Sequence, residues 1–368
     1  MTQTKVEAPF VENNVPFRNL IINGDMSISQ RGTSTTGIGD GDSGYYTCDR
    51  WAFAEGGSSA AVFTQTQSTD VPTGQGFSKS LKMDCTTADT SLASNEIFRI
   101  DHRIEGKNLQ HLAKGTSSAK KVTLSFWVKS SKTGTHIVRY KDQDNSRHIC
   151  AAYTIASADT WEHKTMTFDG DTTGAFDNDN AKSLQIEWYL FAGSDYTSGT
   201  LATSWASSTD ANSGVGQVNV ADSTSNNWYL TGVQLEVGET ATDFEHLPHD
   251  VQFHRCERYY QVIDFTNTHA QAANAYTASA ATTGYTLHTE MRSDPTITLA
   301  TAGGGSGGLA FLTSAGGYPS TVGTHAAGGI STHQFKMDGS GYSGLENAGS
   351  SVVYTTGHGH KHKCDSEL

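Results

Sequence analysis

The sequence predicts an all-β protein: a jelly-roll β-sandwich, then a short linking helix, then a smaller β-sandwich-like C-terminal tip domain. Three observations carry this. Short apolar runs with period-two alternation recur between spacers of Gly, Ser, Thr and Asn, and 38 Gly stand against only 6 Pro in 368 residues. Such punctuation suits many short strands joined by polar turns. About ten strand candidates fall within roughly 220 residues, the density of a sandwich or jelly roll. Helical periodicity, by contrast, is concentrated in one stretch after Pro248.

The chain divides accordingly into an arm (1–17), a jelly-roll domain (18–247), a linking helix (248–262) and a tip domain (263–368). The arm is polar and aperiodic, and a segment of that length reaches roughly 55–60 Å when extended. It reads either as a floppy terminus or as an arm that docks on a partner protein. The segment RNLIINGDMSISQRG (18–32) reads as a strand at Leu20–Ile22, a turn at Asn23-Gly24-Asp25, and a second alternation through Met26 and Ile28. A Gly-rich loop (33–46) follows, then a strand around Trp51 and Phe53. Further strands are expected at 60–65, 80–84, 96–100, 121–129, 135–142, 148–155, 163–168, 183–192 and 215–220, with a helical turn or two at 105–113. The closing strand, NWYLTGVQLEV (227–237), alternates Trp228, Leu230, Gly232 and Gln234 against Tyr229, Thr231, Val233, Leu235 and Val237. The Val/Leu side is the expected buried face.

In the helix, Leu247, Val251, Tyr259 and Val262 share one face, and Phe253, Cys256 and Tyr260 another. A helix apolar on two sides is covered on two sides, so it is expected to pack as a hub. Beyond it, strand candidates are 285–291, 296–299, 309–312, 334–337 and 351–355. The thin core of this last domain favours association into an oligomer, expected to be a homotrimer.

Charge and cysteines exclude several classes. The net charge of −13 argues against a nucleic-acid partner, since phosphate binding needs a basic face. No apolar run approaches a membrane span, so membrane insertion is not expected, and no secretory h-region opens the chain. Five scattered cysteines with no CxxC pair read as buried thiols of a protein made in a cytosol.

Several stretches carry possible chemistry. Gly41-Asp42-Ser43-Gly44 matches a protease nucleophile loop in letters alone, without the accompanying His and Asp motifs. Asp169, Asp171 and Asp177 lie in DGDTTGAFDNDN, whose spacing is partly that of a Ca²⁺ loop, although position 12 is Asn180. The alternative is a solvated acidic loop. Around Glu187, Trp188 and Tyr189, aromatics gather that could stack on sugars. Trp188 on its strand reads as core. Tyr196 and Trp205, in a Ser/Thr/Gly loop region, and Tyr318 and Tyr342 in the tip domain are the candidate glycan contacts. In GHGHKHKC (357–364), alternation puts His358, His360, His362 and Cys364 on one face. Imidazole and thiolate suit a transition metal, and a three-fold axis would supply each histidine three times. The alternative is a polar terminal strand.

The set Phe17-Arg-Asn-Leu-Ile-Ile-Asn-Gly-Asp-Met26, Asp49-Arg-Trp51, Val122-Thr-Leu-Ser-Phe-Trp-Val-Lys-Ser130, Trp228-Tyr-Leu-Thr-Gly-Val-Gln-Leu-Glu236 and Arg255-Cys-Glu-Arg-Tyr-Tyr260 resembles a family of bacteriophage tail-fibre and receptor-binding proteins. Their core is similar to the galactose-binding-like jelly rolls of carbohydrate-binding modules. Residues 289–296 and 364–368 also resemble the distal domains that close such phage proteins. The resemblance implies an early Asn-x-Gly turn beside a late strand, and histidine metal sites at some fibre tips. Those modules often hold a structural calcium with acidic residues of the closing strand. This chain has Thr231-Gly232 there, leaving Asp25 and backbone carbonyls. The expected function is that of a non-enzymatic virion component on the tail or capsid surface, made in the host cytoplasm. It would attach to a host-surface glycan or protein, with residues 1–17 docked on other virion proteins. Alternatives are a capsid decoration or head-fibre protein, and a polysaccharide-degrading tail spike.

Overall fold

A computed structural model describes residues 17–39, 41–264, 271–277, 279–301, 309–312, 324–340, 350–355 and 360–368. Its contacts divide the chain within the helix, between Gln252 and Phe253, into two compact units.

The first unit contains β1 (Ser34–Gly39), β2 (Ser43–Tyr45), β3 (Trp51–Gly56), β4 (Val62–Ser68), β5 (Ser80–Thr87), β6 (Ile97–Glu105) and β7 (Val122–Ser130). It continues with β8 (Gly134–Asp142), β9 (Arg147–Ile155), β10 (Glu162–Phe168), β11 (Lys182–Ala192), α1 (Ser194–Thr197), β12 (Ala206–Ser207) and β13 (Asn227–Val237). They form a jelly-roll sandwich of two antiparallel sheets. One runs β1-β4-β5-β13-β7-β10, the other β12-β9-β8-β11-β6-β3-β2. Alternation decides which residues fill the space between. Leu124, Phe126 and Val128 come from β7, and Leu184, Ile186, Trp188 and Leu190 from β11. Phe126 meets Trp188 edge-on at 5.8 Å. Each such side chain contributes roughly 1.5–3 kcal/mol by leaving water.

Three local expectations change. Residues 20–22 form no strand. Their backbone is held by side chains: Asn19 accepts from the amides of Ile21 and Leu235 and donates to the Val233 carbonyl. Asn23 accepts from the Ile28 amide and donates to the carbonyls of Ile28 and Asp49. The expected proximity of the early turn and the late strand is present: Val233 N–H donates to Gly24 O at 2.9 Å. A Cβ on Gly24 would lie 2.1 Å from Val233 O. Residues 215–220 are likewise irregular, anchored by single bonds from Val218 N to Thr135 O and from Val220 N to Leu190 O. The Gly-rich loop at 33–46, in turn, contains β1 and β2, so Ser43 opens a strand.

The closing strand β13 departs more consequentially. Its register against β7 slips between Thr231 and Gln234, where Gly232 takes φ +61°. This bulge reverses the alternation. Trp228, Leu230, Val233 and Leu235 all enter the core, and Tyr229, Thr231, Gln234 and Glu236 occupy the outer face. The uniform alternation read from the sequence therefore holds for Val233 and Leu235 but fails before Gly232, where Trp228 and Leu230 face the core in place of Tyr229 and Thr231; Val237 is exposed.

The helix, α2 (His249–Glu257), is shorter than the expected 248–262. Tyr260–Asp264 forms β14 instead, paired with the last strand. Tyr-Gln-Val-Ile is aromatic and β-branched, which suits a pleated strand better than a helix. A nine-residue helix ending at Glu257 does not carry the two apolar faces assigned to a hub.

The second unit adds β15 (Gln271–Thr277), β16 (Ala280–Thr286), β17 (Thr296–Thr301), β18 (Leu309–Leu312), β19 (Thr324–Gly328), β20 (Gln334–Ser340), β21 (Ser350–Thr355) and β22 (His360–Asp365). Its sheets run β14-β22-β17 and β18-β21-β15-β16-β20-β19. Their small shared core includes Tyr285, Leu287, Met291, Phe335, Met337 and Cys364. All five cysteines are buried thiols. Among the described residues no helix is long and apolar enough to cross a membrane.

Candidate functional site: an aromatic cleft on the outer face of the six-stranded sheet

The outer face of the six-stranded sheet is laid out by register. Thr231 of β13, Trp127 of β7 and His163 of β10 are successive cross-strand partners. Tyr229 and Lys129 form the adjacent row. Two connecting segments rise beside the first row. The β4–β5 connection supplies Gly74, Gln75 and Phe77; the segment after β13 supplies Thr242, Asp243, Phe244 and His246. Together with Ser125, Trp127, His163 and Gly232 they enclose an open cleft of about 620 Å³.

Its walls are rings. Trp127 lies 5.1 Å from His163, and Phe77 is 5.1 Å from Phe244 and 5.4 Å from His246. Trp127, Phe77 and Phe244 are only partly buried, and His163 and His246 are exposed. Partial desolvation lowers the pKa of His163. At the floor, Gly232 lets the rings approach the backbone: a Cβ there would stand 2.6 Å from Phe77 Cζ and 3.1 Å from Trp127 Cδ1.

The wall at 242–246 is braced from behind. Phe17 N–H and Asn19 N–H donate to the two carboxylate oxygens of Glu245, at 2.6 and 3.0 Å. Arg18 Nε donates to Thr242 Oγ1 at 2.9 Å, and its Nη2 to Asp243 O at 2.5 Å. Arg18 also pairs with Glu236 at 3.5 Å, and Gln234 Oε1 accepts the Glu245 amide at 2.8 Å. The Phe17-Arg-Asn motif thus positions Phe244 and His246.

Beside the cleft, Lys129 pairs with Asp70 and sits over the Tyr229 ring at 4.3 Å and the Trp161 ring at 5.5 Å. Burial alone would raise the Asp70 pKa, but hydrogen bonds from Lys129 and Trp161 bring it below the ordinary value. Lys82 pairs with Asp84 at 3.1 Å. These cations are already engaged.

The residues singled out from sequence lie elsewhere. Tyr196 packs with Ile97, Leu201 and Ala202 on the outer face of the seven-stranded sheet. Trp205 donates from Nε1 to Asp169 O at 2.7 Å and meets Tyr140 edge-on at 5.5 Å. The space at its edge is about 10 Å³, too small for a sugar. Both serve packing. Trp188 is core, as expected. Glu187, its neighbour, is the register partner of Asp101. This buried carboxylate pair is surrounded by Arg99, Arg103 and Arg139. Burial and Glu187 push Asp101 up, whereas Arg99 and Arg139 overcome burial and hold Glu187 down.

The acidic loop does not gather its carboxylates. Asp171 is gripped by Arg147 at 2.6 and 3.1 Å and by Lys114 at 3.2 Å. Burial raises its pKa, but these cations lower it further. Asp169 is exposed and pairs with Lys121 at 3.3 Å. Asp177 is exposed on the loop and receives no such grip. Asp171 is thus the counter-ion of Arg147 and Lys114. Near the first turn, Thr231 Oγ1 donates to Lys79 O at 2.7 Å, and Asp25 accepts from Ser27.

His362 is 2% exposed, between Tyr285 at 5.0 Å and Phe335 at 5.8 Å. It faces the core of its own unit, and Lys361 and Lys363, alternating with it, are half-buried. Only the strand position of His360 is described. His358, Tyr318 and Tyr342 lie outside the described residues. Among the described residues no group of three or more His, Cys, Asp or Glu is arranged to hold a metal.

The sequence analysis missed the cleft because its residues come from five separate segments. The one local signal was the Trp127 position in FWVKS, where an aromatic faces away from an otherwise buried strand.

No family model matches the chain, and no curated protein does. Solved structures with a similar arrangement include the enzymatically active domain of bacteriophage CBA120 tailspike protein 4, at 13% identity and a TM-score of 0.33. That match covers 61% of this chain and 22% of the tailspike chain. A family 11 carbohydrate-binding module of a Clostridium thermocellum cellulosomal cellulase matches at 13% identity and TM-score 0.28, covering 56% of this chain and 98% of its own. A putative sugar-binding protein of Bacteroides thetaiotaomicron matches at 10% and 0.30, covering 60% and 100%.

Proposed function

We propose that the first unit binds a glycan in the Trp127 cleft and that the protein is a non-catalytic attachment component of a virus particle. The observation that carries the binding reading is the cleft itself. It is about 620 Å³, walled by partly exposed rings and edged by hydroxyl, amide, imidazole and carboxylate groups. Sugars present apolar faces that stack on rings and hydroxyls that need such partners. Binding without hydrolysis is favoured by the lining, which holds one carboxylate, Asp243, whereas glycoside hydrolysis ordinarily uses two. The virion reading rests on the motif resemblance of residues 17–260, with residues 1–17 as the docking arm. A trimer would multiply weak sites by avidity. The same modules on a capsid surface are the second location to test.

Calorimetric titration with an oligosaccharide panel tests the binding reading. A ligand from the panel is expected to bind, and Trp127→Ala to weaken it about tenfold or more, some 1.4 kcal/mol, with the melting temperature nearly kept. Unchanged affinity in Trp127→Ala would move the site elsewhere. Labelled protein seen on assembled particles by microscopy, and its loss on removing residues 1–16, which leaves Phe17 on Glu245, tests the virion role. Light scattering tests the trimer.

A further inference from the structure

We propose that the cleft takes a neutral glycan and discriminates against acidic sugars such as uronates, sialates and sulfated or phosphorylated residues; this rests on the glycan-binding reading above. At pH 8, where imidazoles are uncharged, Asp243 is the only formally charged group among the lining residues. It is exposed and negative.

Recognition of a sugar carboxylate or sulfate calls for a cation free to pair with it. The cations nearest in the sheet register are committed. Lys129 is held by Asp70 and lies on the Tyr229 ring. Lys82 is held by Asp84. Arg18 stands behind the wall, where Glu236 and Glu245 offset its charge and Thr242 and Asp243 O take its donors. An acidic sugar in this cleft would meet Asp243 with no cation among the lining residues to offset it, in a protein of net charge −13. A neutral sugar meets the same carboxylate as a hydroxyl acceptor.

Calorimetry of the full chain at pH 8 and low salt decides this. The probes are neutral gluco-, galacto-, manno- and N-acetylglucosamine oligosaccharides, each beside an acidic counterpart: oligoglucuronate, oligogalacturonate, oligomannuronate and a sialylated chain. The expected result is a neutral ligand whose acidic counterpart binds at least about tenfold more weakly. The gap should narrow in high salt, which screens the repulsion, and in Asp243→Asn. An acidic ligand that binds as tightly or more tightly, and is lost in Trp127→Ala, overturns the inference and leaves the glycan reading standing. If no sugar of either kind binds, or Trp127→Ala changes nothing, the glycan reading fails and the inference falls with it. A gap that persists unchanged in both high salt and Asp243→Asn also overturns it, because the discrimination would then be steric.

Discussion

Gly232 lies beneath Phe77: a Cβ on the glycine would stand 2.6 Å from Cζ of the ring. The same glycine, at φ +61°, makes the bulge that turns Val233 and Leu235 into the core. One residue therefore sets both the phase of the closing strand and the floor of the cleft.

Gly232→Ala is expected to cost roughly 1–2 kcal/mol from the left-handed backbone alone, and to push Phe77 off the floor. Affinity for a cleft ligand should fall by more than the stability loss explains. Thermal melting and titration of the same variant separate the two. Wild-type affinity would show that the ligand does not reach Phe77.

Glu245 clamps the amides of Phe17 and Asn19 and thereby holds the wall carrying Phe244 and His246. Glu245→Ala should destabilise the first unit by about 1–3 kcal/mol, the range for leaving such donors unsatisfied. Cleft binding should weaken several-fold although Glu245 does not line the cleft. Amide exchange at Asn19 should accelerate in parallel.

Lys114 is buried between Asp142 at 2.5 Å and Asp171 at 3.2 Å. Its Nζ also donates to the carbonyls of Thr173 and Gly174. Lys114→Met removes the cation and leaves both carboxylates, a loss of roughly 3 kcal/mol for breaking a buried pair. Denaturant unfolding should show the loss, and added calcium should not restore stability. Restoration by calcium would reinstate the loop as a cation site.

His136 is fully buried, stacked 5.4 Å from Tyr153, and burial lowers its pKa to about 4. The unfolded chain takes up this proton near pH 6.5 and the folded chain only near 4. Its stabilising contribution is complete above pH 6.5, declines as pH falls, and is gone below about 4. The full effect is on the order of 3 kcal/mol. His136→Phe should flatten the stability profile between pH 6.5 and 4, in part only, because buried His148 is also lowered to about 4. An unchanged slope would assign the acid sensitivity to other groups.

Much of the fold was legible because the rule that makes a strand is local. Alternation in VTLSFWVKS and SLQIEWYLFA placed β7 and β11 within a residue or so, and Trp188 was read as core. Side chains of successive residues must point to opposite sides, whatever the partner strand. The same rule failed at Thr231, since nothing in the letters TGVQ says that Gly232 will adopt a left-handed conformation. That choice depends on the neighbouring β7 and on the Gly24 carbonyl that Val233 N–H meets beside the strand.

The sequence by itself determined the all-β class, most strand positions and the buried thiols. Only tertiary structure decided which aromatics meet. Tyr196 and Trp205, plausible as exposed loop residues, are half-buried against Ile97 and Tyr140. Phe77, Trp127, His163, Phe244 and His246 converge through strand order. The physical reason is that a binding cleft is a property of distances between segments, and those are set by which strands exchange hydrogen bonds and not by any spacing along the chain.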